Sequence, residues 1–280
     1  MIAEKLDDIF RNGDPESARL IAAAVETFAA HLADVAARFL ETDEWADTRL
    51  IIVGGGMRET GIGETAIRRA NDHLADRGIG VVLRPIHGDP DEAVLLEAAR
   101  LCPPETRARY EAVLGVDIGG SNIRATVVLL NQGLGRDLAR SEILLREHWR
   151  HRLEPVGRDQ AVERLNAMLA ELLRRAAEAG LTLAPFVGVG CPGRIDPDGA
   201  ILSGARNLPG NWEDDAFNLP ARIVAGHPRI RGEKTTIVLH NDAVIQGLHE
   251  FPNMRRVERW GILTVGTGLG NARFTNTAFD

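Results

Sequence analysis

The sequence predicts an α/β fold, and two observations support that prediction. Apolar runs of strand length alternate along the chain with amphipathic runs of helical period, an order typical of α/β proteins. Glycine-containing turns stand directly after three of the apolar strands. At 280 residues, the chain is long enough for one large domain or two ordinary ones.

The first half of the chain is assigned from its start signals and its periodicity. Asp14 and Pro15 predict the N-cap and first position of a long helix, which the apolar spacing extends to about Leu40. The strand RLIIVGGGM, a helix over about 64–76, the strand GVVLRPI and a helix from Asp89 to about Leu101 follow. The stretch CPPETRARYE, with its prolines and charges, predicts a linker or a short exposed helix.

The second half continues the alternation of strands and helices. The predicted elements are, in order, the strands AVLGVDIG, IRATVVLL and SEILLREHW, a helix with Val162, Leu165, Leu169 and Leu172 on one stripe, the strand FVGVG, a short helix near 219–225, the strand TTIVLHND, a helix from Asp242 to about Glu250, and the strand WGILTVGTG.

Composition argues against several classes of protein. The net charge of −7 disfavours a nucleic-acid-binding surface, which needs clustered Lys and Arg. Cys102 and Cys191 are far apart and form no zinc or disulfide pattern, so we expect a reducing compartment. The opening residues do not resemble a signal peptide, and no apolar run approaches about 18 residues. We therefore expect a cytoplasmic protein that does not bind nucleic acid or span a membrane.

Three glycine turns have the chemistry to bind phosphate, because glycine lets backbone N–H groups approach a ligand closely. Each of them alone is more often a plain tight turn. Neither a GxxxxGK[ST] loop nor a complete GxGxxG motif is present, which counts against P-loop and Rossmann folds. The three turns are Asp117-Ile118-Gly119-Gly120-Ser121, Gly266-Thr267-Gly268-Leu269-Gly270 and Gly54-Gly55-Gly56.

The motif HNDA places Asp242 where a buried strand gives way to a helix. A carboxylate there is held rigidly, and the helix N-terminus favours its charged form. Taken alone, Asp242 is more often a simple N-cap. Asn207, in a loop rich in Gly and Pro, is by default a turn former.

Five motifs in succession change these odds. VDIGGSN, GVGCPGRIDPDG, NLPGNW, HNDA and TVGTGLG occur between Val116 and Gly270. Their order and spacing closely resemble the ROK family of sugar kinases and sugar-responsive regulators. The resemblance implies the actin-like (ribonuclease H-like) ATPase fold, with two domains and a nucleotide cleft between them. It also implies ATP-dependent phosphorylation of a hexose or amino sugar.

The resemblance also implies a role for each motif. Asp117 and the turn Gly119, Gly120, Ser121 and Asn122 would form the first phosphate loop, with Asp117 near Mg²⁺. Gly266, Thr267 and Gly268 would form the second. Asn207, Asn241 and Asp242 would face the sugar, with Asp242 as general base.

The first hundred residues resemble the C-terminal end of the same family. A Gly-Asp segment, a long helix, a glycine turn on the adenosine side (Gly54, Gly55 and Gly56), a strand and a final helix appear in the family's order, but ahead of the phosphate loop. We interpret this as a circular permutation, since permutation is tolerated at exposed ends. The alternative is a segment of a tandem or rearranged gene. The expected domains are 112–255 on the sugar side and 1–101 with 256–280 on the adenosine side. Residues 102–111 would join the family's usual termini.

One departure weakens the enzyme interpretation. The family's Glu-x-x-His segment and zinc loop are not found, so no zinc site is expected and the sugar contacts are incomplete. The alternatives are a non-catalytic sugar-binding or regulatory protein, a protein completed by another chain, and a different substrate such as an acylated amino sugar. The expected ligands are ATP, Mg²⁺ and a small sugar, and the question of a homodimer stays open.

Overall fold

The computed structural model of the chain describes residues 2–55, 61–88, 90–132, 138, 140–205 and 207–277. It separates into two compact units. The terminal unit comprises Met1–Pro90 and Glu250–Asp280, and the central unit comprises Asp91–His249.

Helices and strands alternate along most of the chain, as the sequence predicts. The helices are α1 (Ile2–Asn12), α2 (Pro15–Leu40), α3 (Gly61–Asp76), α4 (Pro90–Glu97), α5 (Pro104–Arg107), α6 (Arg158–Glu178), α7 (Leu219–Gly226) and α8 (Asp242–Met254), with 3-10 turns at Ala98–Leu101 and His151–Leu153. The strands are β1 (Leu50–Gly54), β2 (Val82–Pro85), β3 (Ala112–Ile118), β4 (Ile123–Leu129), β5 (Glu142–Trp149), β6 (Leu183–Cys191), β7 (Arg194–Ile195), β8 (Ile201–Ser203), β9 (Arg229–Ile230), β10 (Glu233–Lys234), β11 (Thr236–Asn241), β12 (Arg259–Val265) and β13 (Leu269–Thr275).

The sheet of the terminal unit has the strand order β13-β12-β1-β2. β1 pairs in parallel with β2 and β12, and β12 forms an antiparallel hairpin with β13. Every residue of β1 is buried, which agrees with its continuous apolar sequence, LIIVG. The sequence did not predict β13 or α1, and β13 is only partly apolar.

Helix α2 begins where the sequence predicts. The carboxylate of Asp14 accepts hydrogen bonds from the N–H groups of Glu16 and Ser17, at 3.0 and 2.9 Å. The apolar stripe differs in detail, because Leu20 is 74% exposed while small residues form the core face. That face packs against β1 and α3 and includes Ala29, Ala33, Ala36 and Ala37.

In the described part of the chain, α2 is long and apolar enough, by length and composition, to cross a membrane. A third of its most apolar window is buried in this unit. A core helix of a soluble protein meets the same criteria, and the packing of α2 against β1 and α3 accounts for its apolar face.

The sheet of the central unit has the order β11-β6-β3-β4-β5. β4 is antiparallel to both of its neighbours, while β6 and β11 run parallel to β3. Counted from β3, this is the order 3-2-1-4-5 with the second strand reversed. The predicted α/β fold class is therefore confirmed. The stripe of α6 is also as predicted, with Val162, Leu165, Leu169 and Leu172 at most 1% exposed.

Residues 91–101 lie directly on the central sheet. A Cβ at Gly188 would be 2.3 Å from the carbonyl oxygen of Ala98, and one at Gly115 would be 2.8 Å from that of Leu95. Only glycine permits this approach, and it groups 91–101 with the central unit.

The predicted domain boundaries differ from these units at residues 91–101, since the prediction assigned this segment to the other domain. They also placed 250–255 in the central domain, whereas the structure groups those residues with the terminal unit.

The joining segment 102–111 is packed and ordered. It contains the short helix α5, and Cys102 and Tyr110 are buried on either side of that helix. The Glu111 N–H donates to the Thr182 carbonyl at 2.9 Å, and Gln132 donates to the Tyr110 carbonyl at 3.1 Å. The segment thus runs into β3 as part of the central unit.

Candidate functional site

Three parallel strands of the central unit end side by side and bring the polar motifs together. Asp117 of β3 is opposite Gly190 of β6, and Cys191 is opposite Asn241 of β11. Asp242 is the next residue and begins α8. In open α/β sheets, the carboxyl ends of the strands are where ligands bind. The motifs VDIGGSN, GVGC and HNDA therefore meet at one edge of the sheet.

Asp117 is held by an ion pair within the hairpin β3–β4. Its side chain is nearly buried, and Arg124 Nη1 donates to its Oδ2 at 2.8 Å. The two residues are directly opposite in the antiparallel register. The sequence prediction missed Arg124, although counting back across the two-residue tip of GGSN places it opposite Asp117.

Asn241, rather than Asp242, caps helix α8. The Asn241 Oδ1 accepts a hydrogen bond from the Ala243 N–H at 2.9 Å, which is the usual N-cap geometry. Its Nδ2 donates to the Gly193 carbonyl at 2.7 Å. The capping role considered for Asp242 thus belongs to its neighbour, and the Asn241 amide is already engaged with the protein.

Asp242 remains available for chemistry at the first position of the helix. Its Oδ1 accepts from the Ala243 N–H at 2.8 Å, and no ion pair to it is found among the described residues. Burial raises the pKa of the Asp242 carboxyl above its ordinary value, an effect that the backbone hydrogen bonds partly oppose. Such a shift brings a carboxylate closer to the range in which a general base works best.

Cys191 lies within the electrostatic reach of both carboxylates. Burial raises the pKa of its thiol well above the ordinary value, and the charges of Asp242 and Asp117 raise it further. The thiol therefore stays protonated, and Cys191 belongs to the apolar core of the central unit. The motif GVGCPG pointed to this strand end but did not indicate that role.

The first turn, residues 119–122, follows β3 and is half-buried. It closes with a hydrogen bond from the Gly119 N–H to the Asn122 carbonyl at 2.8 Å. The ring Nε2 of His151 lies 2.8 Å from the Gly119 carbonyl oxygen, and that of His148 lies 2.9 Å from Asn122 Oδ1. Sequence reasoning missed both histidines, because the pairing of β5 with β4 that brings them there is not a local signal.

The second turn, residues 266–268, is the tip of the hairpin β12–β13 in the terminal unit. The Gly266 N–H donates to the Gly268 carbonyl at 2.9 Å, and the turn is exposed. Gly55 lies beside it with φ +105°, and a Cβ there would be 1.9 Å from the Val265 carbonyl oxygen. Gly54 ends β1, whereas Gly56 lies outside the described residues.

Two of the glycines in these turns have no packing reason to be glycine. A Cβ at Gly266 would meet nothing within 4 Å, and one at Gly119 would meet only the Asn122 carbonyl oxygen, at 3.5 Å. Neither residue has a positive φ. Open space above a turn that does not need glycine is what close approach of a ligand requires.

Asn207 lies on the exposed loop between β8 and α7. The loop is anchored by Trp212, which is 1% exposed and donates to the Pro209 carbonyl at 2.7 Å. Glu213 accepts from the Ala205 N–H at 2.8 Å. The structure therefore fixes the base of the loop, and the role of Asn207 toward a sugar stays a prediction.

No group of three or more His, Cys, Asp and Glu side chains is placed to hold a metal ion in the part of the chain that the structure describes. Magnesium does not need such a cage, because it is commonly bound by one or two carboxylates together with substrate phosphates. Asp117 beside the first turn fits that donor set.

Comparison with known proteins points to sugar kinases. The glucokinase of Thermotoga maritima is 27% identical to this chain over 169 residues, which are 59% of this chain and 44% of that protein. The predicted resemblance to the ROK sugar kinases is confirmed. The chain spans less than half the length of this curated relative. No family model matches.

Solved structures of ROK family proteins are also similar to the chain. The ROK family glucokinase from Streptomyces griseus, in complex with glucose and AMPPNP, is 25% identical, with a TM-score of 0.42, over 60% of this chain and 45% of that one. A ROK family transcriptional regulator, a homologue of the E. coli MLC protein, is 14% identical, with a TM-score of 0.45, over 90% of this chain and 55% of that one.

Proposed function

We propose that this chain transfers the terminal phosphoryl group of ATP to a hydroxyl of a small sugar, a hexose or an amino sugar, with Asp242 as the general base. The observation that carries this proposal is the arrangement of side chains at the edge of the central sheet. There, Asn241 takes over the capping of α8 and leaves the carboxylate of Asp242 near Asp117 and Cys191. The similarity to a glucokinase supports the same activity.

The role of Asp242 follows from the chemistry of a sugar hydroxyl. Such a hydroxyl is a poor nucleophile, and a fixed carboxylate that accepts its proton contributes roughly 10²–10⁴-fold to the rate. The raised pKa of Asp242 makes it a stronger base than an ordinary aspartate. Asn207 would orient the sugar together with Asn241, whose Nδ2 has a second N–H beside the one it donates to Gly193.

The first turn is proposed to bind ATP phosphate through its backbone. The residues concerned are Gly119, Gly120, Ser121 and Asn122. In the terminal unit, Gly266, Thr267 and Gly268 are proposed as the second phosphate loop, and Gly54, Gly55 and Gly56 as adenosine contacts. The open space above Gly119 and Gly266 supports the proposal for both phosphate turns.

Asp117 would hold Mg²⁺ through the bound phosphate, and the Arg124 guanidinium keeps its carboxylate in a single orientation. When bound, the ion neutralises charge on the transferring phosphoryl group. Arg124 also limits the negative charge that Asp117 and Asp242 would otherwise present to ATP.

We also propose that the chain is a circularly permuted member of the fold. The packing of 91–101 on the central sheet supports this proposal, because it delivers the family's final helix to the start of β3. The match to the glucokinase is 169 residues long, about the length of the stretch from β3 to the last residue. A permuted chain is expected to match in this way, because a single alignment can follow only one of its two rearranged segments. A rearranged gene in which residues 1–101 follow residue 280 should give the same unfolding midpoint and activity, and its failure to fold would contradict the permutation.

Turnover of ATP against a panel of hexoses and amino sugars tests the activity. We expect ADP release from the wild-type protein that depends on one class of sugar and on Mg²⁺. If the protein binds a sugar but consumes no ATP with any of them, it is a sugar sensor, and the kinase proposal fails. The panel also identifies the substrate, including acylated amino sugars.

A further inference from the structure

We infer that His151 is a positioning residue for nucleotide phosphate, acting through the backbone of the first turn. The inference rests on the proposed function, because it assigns a role within the proposed ATP site. His151 lies in the 3-10 turn after β5, thirty-two residues beyond Gly119 in the chain. None of the five family-like motifs contains it.

The contact between His151 and the turn has a defined direction. His151 is 4% exposed, and its Nε2 lies 2.8 Å from the Gly119 carbonyl oxygen. A carbonyl oxygen only accepts, so Nε2 carries the hydrogen and donates it. The ring also packs against Trp149, whose ring centroid is 5.8 Å away in an edge arrangement.

Two further contacts from the same segment hold the turn. The Arg152 N–H donates to the Ser121 carbonyl at 3.3 Å, and the His148 ring meets the Asn122 amide oxygen at 2.9 Å. Trp149 anchors the segment by donating to Glu154 at 2.9 Å. Residues 148–154 thus form a clamp that holds two carbonyl groups and one side chain of the turn.

The clamp determines where the amide groups of the turn point. In a planar trans peptide, the C=O and the following N–H point in opposite directions. Since His151 holds the Gly119 carbonyl, the Gly120 N–H is directed away from the clamp. The Asn122 N–H is directed away in the same manner, because Arg152 holds the Ser121 carbonyl. Backbone N–H groups of one turn that are oriented in advance lower the cost of binding an anion there.

A second histidine of the central unit serves as a control that distinguishes an effect on the phosphate turn from a general effect on stability. The ring Nε2 of His227 lies 3.0 Å from the Asn166 carbonyl, where α7 packs against α6. His227 and His151 make the same kind of bond, and because His227 is the less buried of the two, its removal should cost folding energy of the same sign but a smaller size. Of these two histidines, only His151 contacts a turn that is proposed to bind phosphate.

The experiment compares His151→Leu, His151→Gln and His227→Leu in the full chain. The readouts are KM for ATP, KM for sugar, the Kd of Mg²⁺–AMPPNP, and deuterium exchange of the peptide containing the turn. We expect His151→Leu to raise KM for ATP and the Kd of AMPPNP about tenfold, as the loss of one hydrogen bond allows. It should leave KM for sugar within about twofold and speed exchange in the turn. His151→Gln should restore most of the affinity, because its amide N–H reaches the same carbonyl.

His227→Leu should lower the unfolding midpoint without changing KM for ATP. If His151→Leu behaves in the same way, His151 is only structural and the inference is wrong. If His151→Leu does not fold, His148→Ala replaces it, because His148 is exposed and also contacts the turn. We then expect a smaller rise in KM for ATP. An unchanged KM for ATP in His148→Ala would overturn the inference. A wild-type protein that binds no AMPPNP would overturn the proposed function itself, and the positioning role with it.

Discussion

The first turn (119–122) and the second turn (266–268) both follow a buried strand, yet they differ in what holds them. The first is half-buried, and it is contacted by His148 at the end of β5 and by His151 and Arg152 just after that strand. The second is exposed and closes on itself through the hydrogen bond from Gly266 to Gly268. Two turns with similar sequences thus depend on the rest of the fold to different degrees. The first needs a distant strand, whereas the second needs only its hairpin and the neighbouring Gly55.

Gly55→Ala should have the largest effect on stability, and it tests what the second turn requires. The new Cβ would meet the Val265 carbonyl oxygen at 1.9 Å, at a residue whose φ is +105°. We expect the free energy of unfolding to fall by about 3 kcal/mol, from overpacking and backbone strain together. Urea unfolding measures this fall. Gly80→Ala is the matched control, since a Cβ there meets nothing within 4 Å, and an equal loss in both variants would contradict the account.

Gly119→Ala and Gly266→Ala ask whether both turns bind phosphate. Neither added methyl group meets a close protein neighbour, so the free energy of unfolding should be unchanged or rise by about 0.4–1 kcal/mol. KM for ATP should rise about tenfold in each variant, because the methyl group occupies the space proposed for phosphate. Steady-state kinetics measure this rise, with Gly80→Ala again as control. If KM for ATP rises in only one of the two variants, only that turn binds phosphate.

The unit that carries the first turn should make its own contribution to the pH dependence of stability, through Asp242. Because the pKa of Asp242 is raised in the folded protein, the folded state binds a proton more readily than the unfolded state. The contribution of Asp242 to the free energy of unfolding therefore falls as pH rises from the unfolded pKa of its carboxyl through the folded one. Asp242→Asn should be as stable as wild type in acid and more stable at neutral pH. Chemical unfolding at several pH values tests this, and a variant that is less stable at neutral pH would contradict it.

The same shift predicts the acid side of the rate profile. The base form of Asp242 exists only above its raised pKa, so kcat should begin to fall, as pH decreases, at a higher pH than for an ordinary aspartate. A profile that stays flat down to the ordinary range would show that Asp242 is not the base.

Local signals predicted much of the fold. The N-cap at Asp14, the stripe of α6 and the strand before each glycine turn depend on residues close together in sequence, and each is present. The contact of 91–101 with Gly115 and Gly188 was missed, because glycine in a strand does not reveal which backbone approaches it. That is why the predicted domain boundaries differ from the compact units.

The site was predicted by motif and completed by topology. Asp117 and Asp242 were identified through the motifs VDIGGSN and HNDA and their resemblance to the ROK family, and the register of β3, β6 and β11 brings them to one edge. The division of work between Asn241 and Asp242 could not be seen in the sequence, since both are good capping residues. The role of His151 could not be predicted for a different reason. It acts through a backbone carbonyl, and that contact requires no particular residue type near it in the sequence.

The most direct test of the kinase proposal is kcat for sugar-dependent ATP consumption in the wild type and in Asp242→Asn. Asp14→Asn is the control, because it changes another aspartate at a helix start to an equally good cap. We predict that kcat falls roughly 10²–10⁴-fold in Asp242→Asn, that the Kd for the sugar changes little, and that Asp14→Asn behaves as wild type. An Asp242→Asn protein that phosphorylates the sugar at the wild-type rate would contradict the proposal.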